Sequence, residues 1–356
     1  MKKKRITWIE LLRIVACIGV IGIHAASQHF RDIPLDSSAW RVSNFYHGIN
    51  RFAVSVFIMI SGTLYLDTKR KWSLKKLWTK NIFQLVVLYL FWQIFYAVYR
   101  VGMSGKPAIG SAAFFKKILT SCSSSYFHLW YLPMLVGILT VTPLLWEIVN
   151  CENGKKWEEY LILLFLFIRI VPYTINCFAF PQKEYVMKVI NTLRPGLIIN
   201  YAGYFVLGHY LSHYKVSRKL EYLIYVLGVG LIGAAILIGQ YMSPKAGEAI
   251  QDYYGNFSMA VFFWGSAIFL FFKNHVSKIQ WTEKQEAVIC RLGSYTLGIY
   301  LIHVLFRDIL HRAGVDSMMI GITFIAIPMV IICIFVLSCI GVILIKKIPV
   351  LGKWIV

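Results

Sequence analysis

Trp8-Ile9-Glu10-Leu11-Leu12-Arg13-Ile14-Val15-Ala16-Cys17-Ile18-Gly19-Val20-Ile21-Gly22-Ile23-His24-Ala25-Ala26-Ser27 is the stretch that decides the reading of this chain. It is long and apolar enough to span a bilayer, yet it carries Arg13 and His24. Eleven helical steps of about 100° leave His24 only ~20° from Arg13, so both lie on one face, roughly 16 Å apart along the axis. Cys17 and Val20 fill the stripe between them. Glu10 sits one turn before Arg13 and can offset its charge. Ionisable residues in a spanning helix are costly to insert, so the pair points to a functional site.

The remaining chain fits that setting. Of 356 residues, 58% are hydrophobic and only 15% charged, and the mean hydropathy is +0.64. Apolar runs recur from end to end, which predicts an all-α, polytopic integral membrane protein and not a soluble globule. The alternation of a membrane β-barrel is missing. The pattern predicts about ten helices, near 7–28, 46–66, 82–102, 128–149, 159–175, 195–213, 221–242, 257–273, 292–306 and 320–345. A mixed segment at 176–193 reads as interfacial. Lys and Arg are more abundant in the connections on the N-terminal side, which predicts both termini in the cytoplasm. Lys2 to Arg5, an apolar run and then His24-Ala25-Ala26-Ser27 imitate a cleaved leader. Glu10 and Arg13 interrupt that run, so the segment is read as a retained first helix. Residues 1–356 form one integral membrane domain in this reading.

The net charge of +21 does not indicate nucleic acid. The charges sit in short clusters between apolar runs, and no connection is long enough to fold as a basic domain. Membrane lipids are the expected partners of these clusters. The seven cysteines include no CxxC pair or zinc-type spacing. Cys122 and Cys177 fall on the outer side of the predicted topology, where a disulfide is compatible with it. His209 and His213 have metal-ligand spacing but no third donor nearby, so no metal is expected there.

Polar residues recur at one depth. His24 lies in the outer half of the first helix, and an imidazole, which ordinarily titrates near neutrality, suits proton transfer to and from a hydroxyl. Arg51 opens the second helix, as an interfacial anchor or a donor to a substrate oxygen. His128 and Trp130 begin the fourth helix from the outer side, where Trp130 also suits an aromatic belt. Tyr300 and His303 are one turn apart on the ninth. Four helices thus bring polar groups to the depth of His24, as a cavity open to the outside requires. Lys75, Lys76 and Lys80 form a basic patch at the inner surface, suited to lipid headgroups or a phosphate-bearing donor.

These residues also carry a resemblance. Glu10-x-x-Arg13, with His24 following, resembles the acidic-x-x-Arg and Arg-x10-His signature of the membrane acyltransferase family 3. Phe57-Ile58-Met59-Ile60-Ser61-Gly62, His128-Leu129-Trp130-Tyr131-Leu132 and Gly298-Ile299-Tyr300-Leu301-Ile302-His303 resemble its later motifs, in the same order. The approach to Arg51 is most similar to the branch of the enterobacterial common antigen O-acetyltransferases. The resemblance implies a multi-pass enzyme of the bacterial cytoplasmic membrane. It implies transfer of an acyl group, usually acetyl, from cytosolic acyl-CoA to a hydroxyl of a cell-surface glycan or its lipid-linked precursor. It implies no permanently bound cofactor, with acetyl-CoA as donor substrate. His24 would be catalytic, as general base or acyl carrier, with Arg13 on the donor path and Glu10 beside it in the catalytic set; Arg51, His128, Trp130, Tyr300 and His303 would contact substrate, and Lys75, Lys76 and Lys80 the donor phosphates. Two departures stand out: Glu10 replaces the usual aspartate, and lysines replace arginines in the basic connector, which weakens bidentate phosphate contact. The competing expectation is a small-molecule transporter of the same fold without covalent chemistry.

Overall fold

The computed structural model describes residues 6–70, 73–122, 126–192, 194, 196, 199–349, 352 and 355. The leader-like Lys2–Arg5 cluster, Lys71 and part of the Ser121–Ser125 tract lie outside them. Every regular element among the described residues is helical. The apolar run with Arg13 and His24 forms α1 (Thr7–Ala26). It is the most enclosed of the long helices: 72% of its apolar window is buried, against 33% for the C-terminal helix Thr323–Lys347. Its lower half, Ile9, Leu12 and Ala16, belongs to one core cluster, and its upper half, from Cys17 to Ala26, to a second. The two charged positions therefore face protein and an internal space, the arrangement that lowers the cost of ionisable groups at membrane depth.

The chain then runs through α2 (Ser38–Ile49) and α3 (Phe52–Tyr65), with Asn50 and Arg51 at the break. Ser37 caps α2 by accepting from the Trp40 amide at 3.1 Å. A helix from Leu74 to Met103, α4, contains a π-helical stretch at Leu77–Ile82. After α5 (Ala112–Cys122) come α6 (Tyr131–Asn150) and α7 (Gly154–Phe165), which passes through a π turn into α8 (Val171–Asn176). The rest is α9 (Lys183–Thr192), α10 (Ala202–His213), α11 (Arg218–Ala246), α12 (Met259–Asn274), α13 (Glu283–Gly293), α14 (Thr296–Arg312) and α15 (Thr323–Lys347). A capping box between Thr282 and Gln285 starts α13.

Seven helices are long and apolar enough to cross a membrane, and an eighth span results if α13 and α14, bent by 57°, count as one. That is fewer than the ten expected. The α7–α8 run carries Lys155, Lys156, Glu158, Glu159 and Arg169, and α10 has 12 residues, so neither meets the same length and hydropathy standard. The second helix begins eight residues earlier than predicted (46 − 38), because Ser38–Ile49 is helical although weakly apolar. The loop expected at 104–127 contains α5, and the interfacial segment contains α9. Cys122 and Cys177 are both free thiols.

Packing between α3 and α10 depends on two glycines. A Cβ on Gly62 would collide with the Phe205 carbonyl, and one on Gly208 with the Met59 carbonyl. In lipid, where helices gain little from hydrophobic burial against one another, such close approach supplies the packing energy. The Ser61-Gly62 end of α3 thus has a structural use for its glycine. Gly208→Ala should destabilise the solubilised protein by at least about 1–3 kcal/mol. Gly230→Ala, where nothing lies within 4 Å, serves as the neutral comparison. Thermal unfolding in detergent checks this: equal melting temperatures for the two variants would contradict the close packing.

Candidate functional site

A cavity of about 430 Å³ runs beside α1 and is lined by both Arg13 and His24. The sequence placed these residues on one helical face; the structure places one continuous space against that face. At the Arg13 end the walls include Tyr65, Asn81, Gln84, Gly293 and Ser294. Val20, Phe57, Ser61, Leu85, Leu88 and Thr296 line the middle. Arg51, His128, Trp130, Asn256 and Tyr300 join His24 at the far end. A largely apolar space that reaches from Arg13 to His24, roughly 16 Å along the helix axis, can take an extended molecule.

Arg13 donates to Glu10 Oε1 at 3.3 Å, and Glu10 is 5% exposed. α13 closes against this pair, since a Cβ on Gly293 would collide with the Glu10 carboxylate. Arg13 keeps about a quarter of its side chain exposed, so a cation faces this end of the cavity. Lys75, Lys76 and Lys80 are exposed on the first turns of α4 and do not line the cavity. Asn81 and Gln84, immediately after them, do.

At the other end the polar residues predicted from separate helices come together. The His24 ring packs 5.3 Å from that of His303 and 5.1 Å from Phe127. His128 lies 5.3 Å from His303 and 5.7 Å from Tyr300, centroid to centroid. Backbone carbonyls orient two of these imidazoles. His303 Nδ1 is 2.6 Å from the Tyr300 carbonyl oxygen, and His128 Nε2 is 3.4 Å from that of Leu301. A carbonyl accepts only from an N–H, so each ring carries its proton on that nitrogen. The other ring nitrogens, His303 Nε2 and His128 Nδ1, are buried without hydrogen-bond partners among the described residues. Leaving such groups unpaired costs about 1–3 kcal/mol each, which makes structural stability a poor explanation for them. The ring nitrogens of His24 take no hydrogen bond from the described residues and face the cavity.

The remaining predicted residues divide by geometry. Tyr300 lines the cavity, but its hydroxyl donates to the His128 carbonyl, so it positions the segment that carries His128. His303 is fully buried behind His24 and is not part of the wall. Trp130 lines the wall and packs on Tyr201, to which Asn256 donates at 3.0 Å. Arg51 donates to Gln251 Oε1 at 3.1 Å and lies 5.7 Å from the Tyr254 ring. No carboxylate among the described residues pairs with Arg51, so its positive charge remains available at the His24 end. Asn81, Gln84, Asn256 and Arg307 carry no motif in the sequence, and Ser61 figures there only as part of the Phe57–Gly62 motif. Arg307 lies 5.1 Å from the Phe127 ring and is neutralised by Asp308 at 2.6 Å. It stands one helical turn beyond His303, a spacing that identifies it.

Continuity of the cavity is open to chemical test. In a background with the native cysteines replaced, Ser61→Cys should react with a small water-soluble thiol reagent. Ser55→Cys, on the same helix but 2% exposed, should not. Equal inertness of the two would contradict a solvent path past Ser61.

The acyltransferase-domain family model matches residues 6–346, nearly the whole chain. Neither the curated proteins nor the solved structures yield a match. The match takes in α1 and every helix that contributes to the cavity. Arg13 and His24 therefore lie in the membrane-helical domain of an acyltransferase, and the chain belongs to acyltransferase family 3.

Proposed function

We propose that this acyltransferase is an O-acyltransferase of the bacterial cytoplasmic membrane, with acetyl as the usual group, acyl-CoA as donor and a surface glycan or its lipid-linked precursor as acceptor. The observation that carries the reading is the single cavity lined by Arg13 at one end and His24 at the other. In this reading the chain crosses the membrane ten times with both termini in the cytoplasm. The α7–α8 run, α10 and the bent α13–α14 pair are then added to the seven long apolar spans. The Arg13 end opens to the cytosol, close to Lys75, Lys76 and Lys80 at the start of α4.

Coenzyme A is polyanionic at its nucleotide end and slender along its pantetheine arm. Its phosphates would meet Arg13 and the three lysines, with Asn81 and Gln84 just inside. The arm would follow the apolar middle of the cavity and bring the thioester to His24. There the His24 imidazole accepts the proton of an acceptor hydroxyl, and the alkoxide oxygen attacks the thioester carbonyl. The C–O bond forms, the C–S bond breaks, and the imidazolium returns its proton to the departing thiolate. The unpaired cation of Arg51 would stabilise the oxyanion between these events. His128 and His303, each anchored to a backbone carbonyl, would orient His24 and the acceptor. Trp130 offers an aromatic face to a sugar ring.

Membranes carrying the protein and its native acceptor, supplied with acyl-labelled acetyl-CoA, provide the test. His24→Ala should lower transfer at least ~100-fold without loss of folded protein. Normal transfer by His24→Ala would remove it from the chemistry, and wild-type membranes that move label without covalent attachment would favour the transporter. Arg13→Ala should raise the KM for acyl-CoA more than that for the acceptor. The triple replacement of Lys75, Lys76 and Lys80 by alanine should do the same and weaken the salt dependence of donor binding.

A further inference from the structure

Outside the cavity, three donor groups from distant parts of the chain meet near the His24 end of the bundle. His29 follows directly after α1, His311 is in the last turn of α14, and Asp316 is in the connection to α15. Asp316 Oδ2 lies 3.3 Å from His29 Nε2 and 3.0 Å from His311 Nδ1. The three donor atoms all fall within 4.8 Å of one another. Sequence reading found no metal site, because His29 and Asp316 stand at opposite ends of the chain.

We propose that His29, His311 and Asp316 bind a divalent transition-metal ion, with zinc the ion their chemistry fits best. Two imidazoles and a carboxylate are borderline donors of the kind zinc takes, with water as fourth ligand. Donor atoms around a tetrahedral zinc at ~2.0–2.2 Å stand roughly 3.3 Å apart, close to the two distances from Asp316 Oδ2 to the histidines. His29 Nε2 is buried and has no hydrogen-bond partner although Asp316 Oδ2 is 3.3 Å away. His311 Nδ1 and Asp316 Oδ2 are hydrogen-bonded at 3.0 Å, a contact that a bound ion would replace. Neighbouring contacts orient two of the ligands. His29 Nδ1 faces Asp32 Oδ2 at 3.5 Å, which directs its proton outward and leaves Nε2 for the ion. The Met318 amide donates to Asp316 Oδ1 at 2.8 Å and leaves Oδ2 turned to the histidines. His311 is about half exposed, so its ring can rotate to close the widest separation. A bound ion would clamp the exit of α1 to the exit of α14, the helices that carry His24 and His303. The inference does not depend on the identity of the transferred group.

Cobalt titration of the purified, chelator-stripped full-length protein in detergent provides the test. Wild type should bind one equivalent of Co²⁺ with the intense visible bands of tetrahedral coordination, displaceable by Zn²⁺. Asp316→Asn and His29→Ala should each lose those bands. Asp32→Asn should keep them with roughly tenfold weaker affinity. His213→Ala, which alters the stacked His209–His213 pair elsewhere, should match wild type. Absence of tetrahedral bands in wild type overturns the site without reference to any variant. Full-strength bands in both Asp316→Asn and His29→Ala overturn it equally.

Discussion

An arginine and a histidine at membrane depth must be enclosed by protein or reached by water, and the fold is arranged around that constraint. α1 carries both and is the most enclosed of the long helices. Helices α2, α3, α12, α13, α14 and α15 all pack on it. Enclosure needs close packing behind the inner layer, and Gly62 and Gly208 let the α3 and α10 backbones approach for that reason. What packing leaves open is a space along the face that holds Arg13 and His24.

That space separates two kinds of chemistry. One end presents a cation whose buried carboxylate partner is on its own helix. The other presents imidazoles anchored to backbone carbonyls and the cation of Arg51, which donates to Gln251. Separation along α1, rather than contact between Arg13 and His24, makes the pair useful to an enzyme that takes its donor from one side of a membrane and its acceptor from the other. The acyltransferase-domain match over residues 6–346 takes in both ends of this space. In the proposed mechanism a thioester arm bridges the two ends, so neither protein end need move through the bilayer.

Much of this was legible because it rested on local periodicity. Helical spacing alone put Arg13 and His24 on one face. The shared depth of His24, His128, Tyr300 and His303 anticipated the cluster that the structure forms. Depth did not anticipate roles: Tyr300 uses its hydroxyl on the His128 carbonyl, and His303 lies behind the wall. Asn81 and Gln84 escaped notice because they follow the charged start of α4, and only tertiary packing turns them inward. The early start of α2 was hidden because Ser38–Ile49 is too polar to read as a span; its Ser37 cap and its packing on α11 hold it. Asn256 and the His29–His311–Asp316 group depend on contacts between remote segments, which no single window of sequence contains.

The central claim is that one ligand spans the cavity with its reactive end at His24. The most direct measurement is an experimental structure of the protein with a non-hydrolysable acetyl-CoA analogue. The analogue's phosphates should lie beside Arg13 and the start of α4, its arm past Ser61, and its acyl carbonyl within reach of a hydroxyl held ~3 Å from the His24 imidazole. Phosphates bound at the Arg51 end, or an arm lying outside the cavity, would contradict it.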